Sequence, residues 1–134
     1  MTTVQENENA LREQLFAVPD AYERLNYLVG RAGRETALSE DECSEKNLVA
    51  GCVSQVWIVP EEIEGGWAFR SDSDAPMVKA VAMVYCSVYS GGTGEEIANH
   101  EATILEDTGV LACLTQSRRA GAQRILERIR GSVG

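Results

Sequence analysis

The stretch Leu48-Val-Ala-Gly-Cys-Val-Ser-Gln-Val-Trp-Ile-Val-Pro60 decides how the chain is read, because it joins two short apolar runs across a cysteine. Both runs have strand character, so Cys52 falls where the backbone must turn, and Gly51 beside it supplies the backbone freedom for that turn. A thiol on a turn is either buried there by packing or presented to something. A presented nucleophile needs partial access, a route to its thiolate and a rigid frame. The flanking strands offer the frame, and Ser54 and Gln55 offer local hydrogen bonds. The residues alone leave both alternatives open.

Working outward, Asn47 to Gly51, Gln55 to Val59 and Trp67 to Arg70 read as three consecutive strands. Pro60 is expected to end the second, and Gly65-Gly66 to turn the chain into the third. That pattern is an antiparallel meander. After "SDSDAP" the period lengthens: Val78, Val81, Ala82, Tyr85, Val88 and Tyr89 recur at helical spacing, so Ala75 to Tyr89 is expected to be a helix. Its valines are poor helix formers, so burial must hold it. Asp74 is the expected N-cap, with Pro76 in the first turn.

Upstream, Leu11, Leu15 and Phe16 suggest a short helix stopping at Pro19, and Asp20 caps a second helix ending near Gly30. Residues 1–10 are polar and expected to fray. Arg31 to Lys46 reads as a loop holding "SEDECSEK", with Cys43 as an exposed bystander. Downstream come a short helix from about Glu95 to His100 and a helical piece from Ile104 to Leu114 broken near Gly109. A last helix follows, capped by Thr115 or Ser117 and striped by Ala122, Ile125, Leu126 and Ile129. The expected fold is one α+β domain over residues 1–134, a three-stranded meander packed against helices.

Composition narrows the function. The 134 residues suffice for one ordinary core. No stretch approaches the roughly 18 apolar residues of a membrane helix. The N-terminal "MTTVQENENALREQ" has no secretory pattern, so a cytoplasmic setting is expected. A net charge of −9 argues against a general nucleic-acid binder. Arg118, Arg119, Arg124, Arg128 and Arg130 nevertheless make the last helix basic. A solvated face with cations near the helix C-terminus accounts for that more simply than a binding patch. Cys43, Cys52, Cys86 and Cys113 contain no C-x-x-C pair, and the single histidine, His100, does not complete a zinc set, so no metal site is expected. Structural disulfides are not expected in a reducing compartment. "GGTG" lacks the Lys-Ser/Thr of a phosphate loop, and "DSDAP" lacks the glycine and glutamate of a calcium loop.

Three motifs then agree with one family. Gly51-Cys52-Val53-Ser54-Gln55-Val56-Trp57 resembles the signature of the SufE family of sulfur acceptors. Ser71-Asp72-Ser73-Asp74-Ala75 resembles that family's Gly-Asp-Ser-Asp-Ala, and Leu114-Thr115-Gln116-Ser117-Arg118-Arg119-Ala120-Gly121 its Leu-Thr-x-Ser-Arg-x-x-Gly. They stand in family order between about Asn47 and Ile129. Ser71 replaces a glycine and Gly94 a proline common in the family.

The resemblance implies a non-enzymatic carrier of SufE/IscU-like fold. It would take persulfide sulfur onto Cys52 from a SufS-like cysteine desulfurase, stimulate that enzyme, and pass the sulfur to an iron–sulfur scaffold complex. The chain itself would bind no cofactor, because the pyridoxal phosphate belongs to the partner desulfurase. Family resemblance also implies that the thiol waits in an apolar pocket until the partner docks. Gly51, Ser54, Gln55, Asp74 and Arg118 are the expected supporting and partner-contact residues, and the expected assembly is a monomer or weak homodimer. The alternatives are an iron–sulfur scaffold, which needs Cys43 and Cys113 to approach Cys52, and a Cys-His hydrolase using His100.

Overall fold

The structure, a computed structural model, describes residues 2–133. Helix α1 (Val4–Phe16) is followed by α2 (Ala21–Ala32), then by a long connection with a 3-10 turn at Glu45–Asn47. The hairpin β1 (Val56–Ile63) and β2 (Gly66–Ser73) leads into α3 (Pro76–Tyr89). Two short helices, α4 (Gly94–Asn99) and α5 (Ile104–Asp107), precede a second 3-10 turn at Leu111–Cys113 and the last helix, α6 (Gln116–Gly131). The α+β class matches the expectation.

Helix α3 is the centre. Residues 80–86, together with Val88 and Tyr89, are all buried, so burial extends well beyond the periodic stripe. A helix apolar on every side must be covered on every side, and α1, α2, α6 and β2 all pack on it. Its β-branched valines are therefore held by packing rather than by propensity. The α6 stripe of Ala122, Ile125, Leu126 and Ile129 is buried as the spacing predicts, and Thr115 caps that helix by accepting from Arg118 N at 3.3 Å.

Three expectations fail in the N-terminal half. The first ten residues are not frayed where they are described (Met1 lies outside the described residues, as does Gly134 at the other end). Thr3 and Glu6 form a capping box, with Glu6 N donating to Thr3 Oγ1 at 3.1 Å and Thr3 N to Glu6 Oε1 at 3.0 Å. Asn7 Nδ2 then ties the helix to the carbonyls of Val88 and Ser90 at 3.1 and 3.0 Å. The Thr-x-x-Glu signal stood in the sequence, and these long-range bonds reinforce it.

The sheet has two strands, not three. Residues 47–51 do not form a strand: Leu48 makes an isolated bridge to Trp57, and Val49 N donates to Val56 O at 2.9 Å. Pairing stops there because the chain swings out at Gly51, whose φ is +83°. Pro60 does not end β1 either; it lies within the strand, opposite Phe69. Val56 directs its carbonyl away from β2, toward Val49. Pro60, four residues on, has the same outward parity, so its missing N–H removes no bond to β2.

The start of β2 lies against the turn after α3. Trp67 N donates to Gly92 O at 3.0 Å, and Gly91 N to Trp67 O at 2.7 Å. A Cβ on Gly66 would collide with the Gly92 carbonyl, whose carbon would stand 2.9 Å away. The obstacle is backbone and cannot rotate aside. Gly66→Ala is therefore expected to lower stability by about 2 kcal/mol, in the range of overpacking substitutions, as read from denaturant unfolding midpoints.

Candidate functional site

Residues 49–56 form a loop closed at its base by the Val49–Val56 backbone bond. Each half is then gripped from elsewhere. On the C-terminal side, Gln55 N donates to Asp74 Oδ1 at 3.1 Å, and Asp74 N returns a bond to Gln55 O at 3.3 Å. Ser73 Oγ donates to the same Gln55 carbonyl at 2.6 Å and accepts from Ala75 N at 3.2 Å. On the N-terminal side, Arg128 Nη1 and Nη2 donate to the carbonyls of Leu48 and Lys46 at 2.9 and 2.6 Å. Arg124 lies over Gly51. The loop is thus suspended between the β2–α3 connection and α6.

Asp74 departs from its expected part. Ala75 occupies the N-cap position of α3 with no side-chain cap, and the Asp74 carboxylate serves the loop instead. Its neighbour Asp72 accepts from Leu38 N at 3.1 Å and from Ser73 N at 2.8 Å, and pairs with Lys79 at 3.5 Å. "SDSD" is therefore a strut joining the 31–46 connection, the hairpin and the Cys52 loop. Asp74→Ala is expected to speed Cys52 alkylation several-fold and deprotect the Gln55 amide in hydrogen exchange. Global unfolding should change by less than about 1 kcal/mol, since one bond of an exposed side chain is lost.

Cys52 itself is half-buried, and its Sγ contacts the Gly121 carbonyl at 3.9 Å. Beside it lies a cavity of about 300 Å³. Met77, Val78 and Val81 of α3 and Leu114, Ala122 and Ile125 make its lining mainly apolar, while Ser54, Thr115, Ser117 and Arg118 add polar groups. Val53, next to the thiol, is 89% exposed. Burial pushes the Cys52 thiol up, and the Arg124 charge draws it partly back.

The other thiols differ in kind. Cys43 is also pushed up, first by desolvation and then by the negative charges of Asp72 and Glu42, so its neighbours oppose the thiolate. Cys86, buried in α3, is pushed up to about 12 by burial and holds almost no thiolate at neutral pH. Cys113 Sγ lies 3.5 Å from the Gly109 carbonyl. Among the described residues no three of His, Cys, Asp and Glu stand together so as to hold a metal ion, so the thiolates that a scaffold needs do not converge. His100 is no partner for Cys52 either. Its Nε2 bonds Glu8 Oε1 at 2.7 Å, its ring packs edge-on against Tyr89, and it does not line the Cys52 cavity.

Of the expected site residues, the structure gathers Gly51, Cys52, Ser54, Gln55, Asp74 and Arg118 around one loop. Gln55 contributes its backbone, its side chain being exposed. Arg118 lines the cavity, and among the described residues it makes no salt bridge. Sequence reasoning missed Arg124 and Arg128 as loop clamps. Their i, i+4 spacing places both on one face of α6, which was the available signal.

The structure thus sets a half-buried thiol on a strutted loop, at an apolar cavity and beside a cation, within an α+β fold. The chain belongs to the SufE family: residues 9–133 match its Fe-S metabolism associated domain. A solution structure of a hypothetical protein from Thermus thermophilus shares the fold, with a TM-score of 0.76 at 19% identity, over 95% of this chain and 93% of that one. Among the described residues no helix is long and apolar enough to cross a membrane.

Proposed function

We infer that the chain is a sulfur acceptor and carrier in iron–sulfur cluster assembly, using Cys52. The observation that carries this reading is the contrast among the thiols. Cys52 combines an adjoining apolar cavity, a clamped loop and a neighbouring positive charge, whereas Cys43 faces carboxylates and Cys86, buried at the wall of a second cavity, is pushed up to about 12 by burial. Family membership supports the same setting.

In this reading the Cys52 thiolate attacks the outer sulfur of a persulfide on a SufS-like cysteine desulfurase. A sulfur–sulfur bond forms at Cys52, the donor's sulfur–sulfur bond breaks, and its electron pair leaves on the donor cysteine as thiolate. This is thiol–disulfide exchange applied to a persulfide, with no net oxidation. The apolar cavity shelters the thiol, and later the persulfide, from oxidants. An iron–sulfur scaffold complex is the downstream acceptor.

Intact-mass analysis tests the reading. Incubated with a cysteine desulfurase, L-cysteine and pyridoxal phosphate, the chain is expected to gain one sulfur atom, removable by a reducing thiol. No gain under conditions where the desulfurase turns over would refute it.

A further inference from the structure

Arg124 lies outside the three motifs, yet it stands directly against the loop that carries Cys52. An ideal Cβ on Gly51 would stand 2.8 Å from its Cζ, 2.8 Å from Nη1 and 2.9 Å from Nε. Three nearly equal distances mean that the guanidinium plane lies face-on against Gly51. Gly51 therefore answers two demands: a φ of +83°, and room for a flat cation on its surface. Among the described residues Arg124 takes part in no salt bridge, so no carboxylate neutralises it.

The remaining surroundings of the sulfur sharpen the point. From α3 the cavity receives Met77, Val78 and Val81, none of them titratable. From α6 it receives Arg118, and from the β2–α3 connection the nearby carboxylate is Asp74, engaged by the Gln55 N–H. An apolar wall disfavours an anion, and something must offset that if the sulfur is to react near neutral pH.

We propose, on the carrier reading above, that Arg124 is a positioning residue for sulfur transfer: seated flat on Gly51, its guanidinium pins the turn ahead of Cys52 and sets positive charge beside the sulfur that reacts as an anion. In the transfer step the Cys52 thiolate bonds the sulfane sulfur, the donor cysteine leaves as thiolate, and the proton stays on the transferred sulfur. Loss of that proton to solvent gives a perthiolate beside the same cation. The thiolate before the step and the perthiolate after it are thus both stabilised by one group.

The test is the pH profile of Cys52 alkylation by iodoacetamide, which needs no desulfurase, in wild type, Arg124→Gln and Arg124→Lys. Arg124→Gln is expected to move the profile up by roughly half a unit to one unit, slowing alkylation about three- to tenfold below the midpoint. Arg124→Lys should retain most of the wild-type profile, and the Gln difference should shrink in molar salt. Unchanged thermal unfolding shows that the fold is intact, as expected at an exposed position. Superimposed profiles for wild type and Arg124→Gln overturn the proposal. So does an equal shift in the Lys variant, or a difference that molar salt leaves untouched. Sulfur uptake by the wild-type chain is scored separately, so a failed carrier reading and a failed role for Arg124 give different results.

Discussion

A Cys52→Ser chain incubated with a cysteine desulfurase, L-cysteine and pyridoxal phosphate is expected to keep its unmodified mass, while the wild-type chain gains one sulfur atom. The loss should be complete rather than partial. A serine hydroxyl has almost no anion at neutral pH and cannot displace a thiolate from a persulfide, whereas a thiol with a reference pKa near 8.5 can. The substitution is close to isosteric at a half-buried site whose sulfur makes one long hydrogen bond, to the Gly121 carbonyl, so the fold should survive. The matching controls are Cys43→Ser and Cys113→Ser, which should still load sulfur. Uptake by Cys52→Ser itself would place the acceptor on another thiol. Both outcomes are read by intact mass and peptide mapping.

The second large effect concerns stability. Glu8 is only 2% exposed, yet it carries a carboxylate into the core edge. Its Oε2 accepts from Thr103 N at 2.7 Å and Ile104 N at 2.9 Å, its Oε1 meets His100 Nε2 at 2.7 Å, and Arg12 stands 3.5 Å away. One side chain thus satisfies the backbone donors at the start of α5 and anchors α1 to the 100–104 segment. Glu8→Ala strands those donors and leaves a void. The expected cost is about 3–5 kcal/mol, or a fall in Tm on the order of 10–20 °C for a domain of this size. Glu8→Gln, which keeps the shape and an acceptor, should recover part of it. A Tm within about 3 °C of wild type for Glu8→Ala would show that water replaces the carboxylate.

Glu8 also shows where sequence reading stops. Its place on the face of Val4, Leu11 and Leu15 and its i, i+4 spacing from Arg12 are local, but the hydrogen-bond partners that give it its part lie more than ninety positions away. Local signals were legible where the determinants are local. Asp20 and Thr115 cap their helices, Pro76 sits in the first turn of α3, and the α6 stripe is buried. The third strand was misread because "NLVAG" has strand composition but only two residues able to pair before Gly51 turns the chain away. Cys52 and its loop neighbours could be named from the sequence through the family motifs. The meaning of those motifs could not, since Asp74 as a strut for Gln55 is a relation between segments nineteen residues apart. Arg124 and Arg128 looked like an ordinary solvated basic face until the loop was seen beneath them.

The two-stranded hairpin has one more consequence. In a sheet this small every strand is an edge, and an open edge invites another chain to add itself. Here both edges are obstructed. Along β2 the outward groups of Trp67 and Phe69 are already engaged by residues 90–92, with Phe69 N donating to Ser90 Oγ at 2.9 Å. Along β1 the Leu48–Val49 segment covers the first residues, and Pro60 then withholds a donor just before Glu61 and Glu62 add charge. The proline that falls inside the strand is therefore a guard against runaway strand addition, placed on the very hairpin that supports the Cys52 loop.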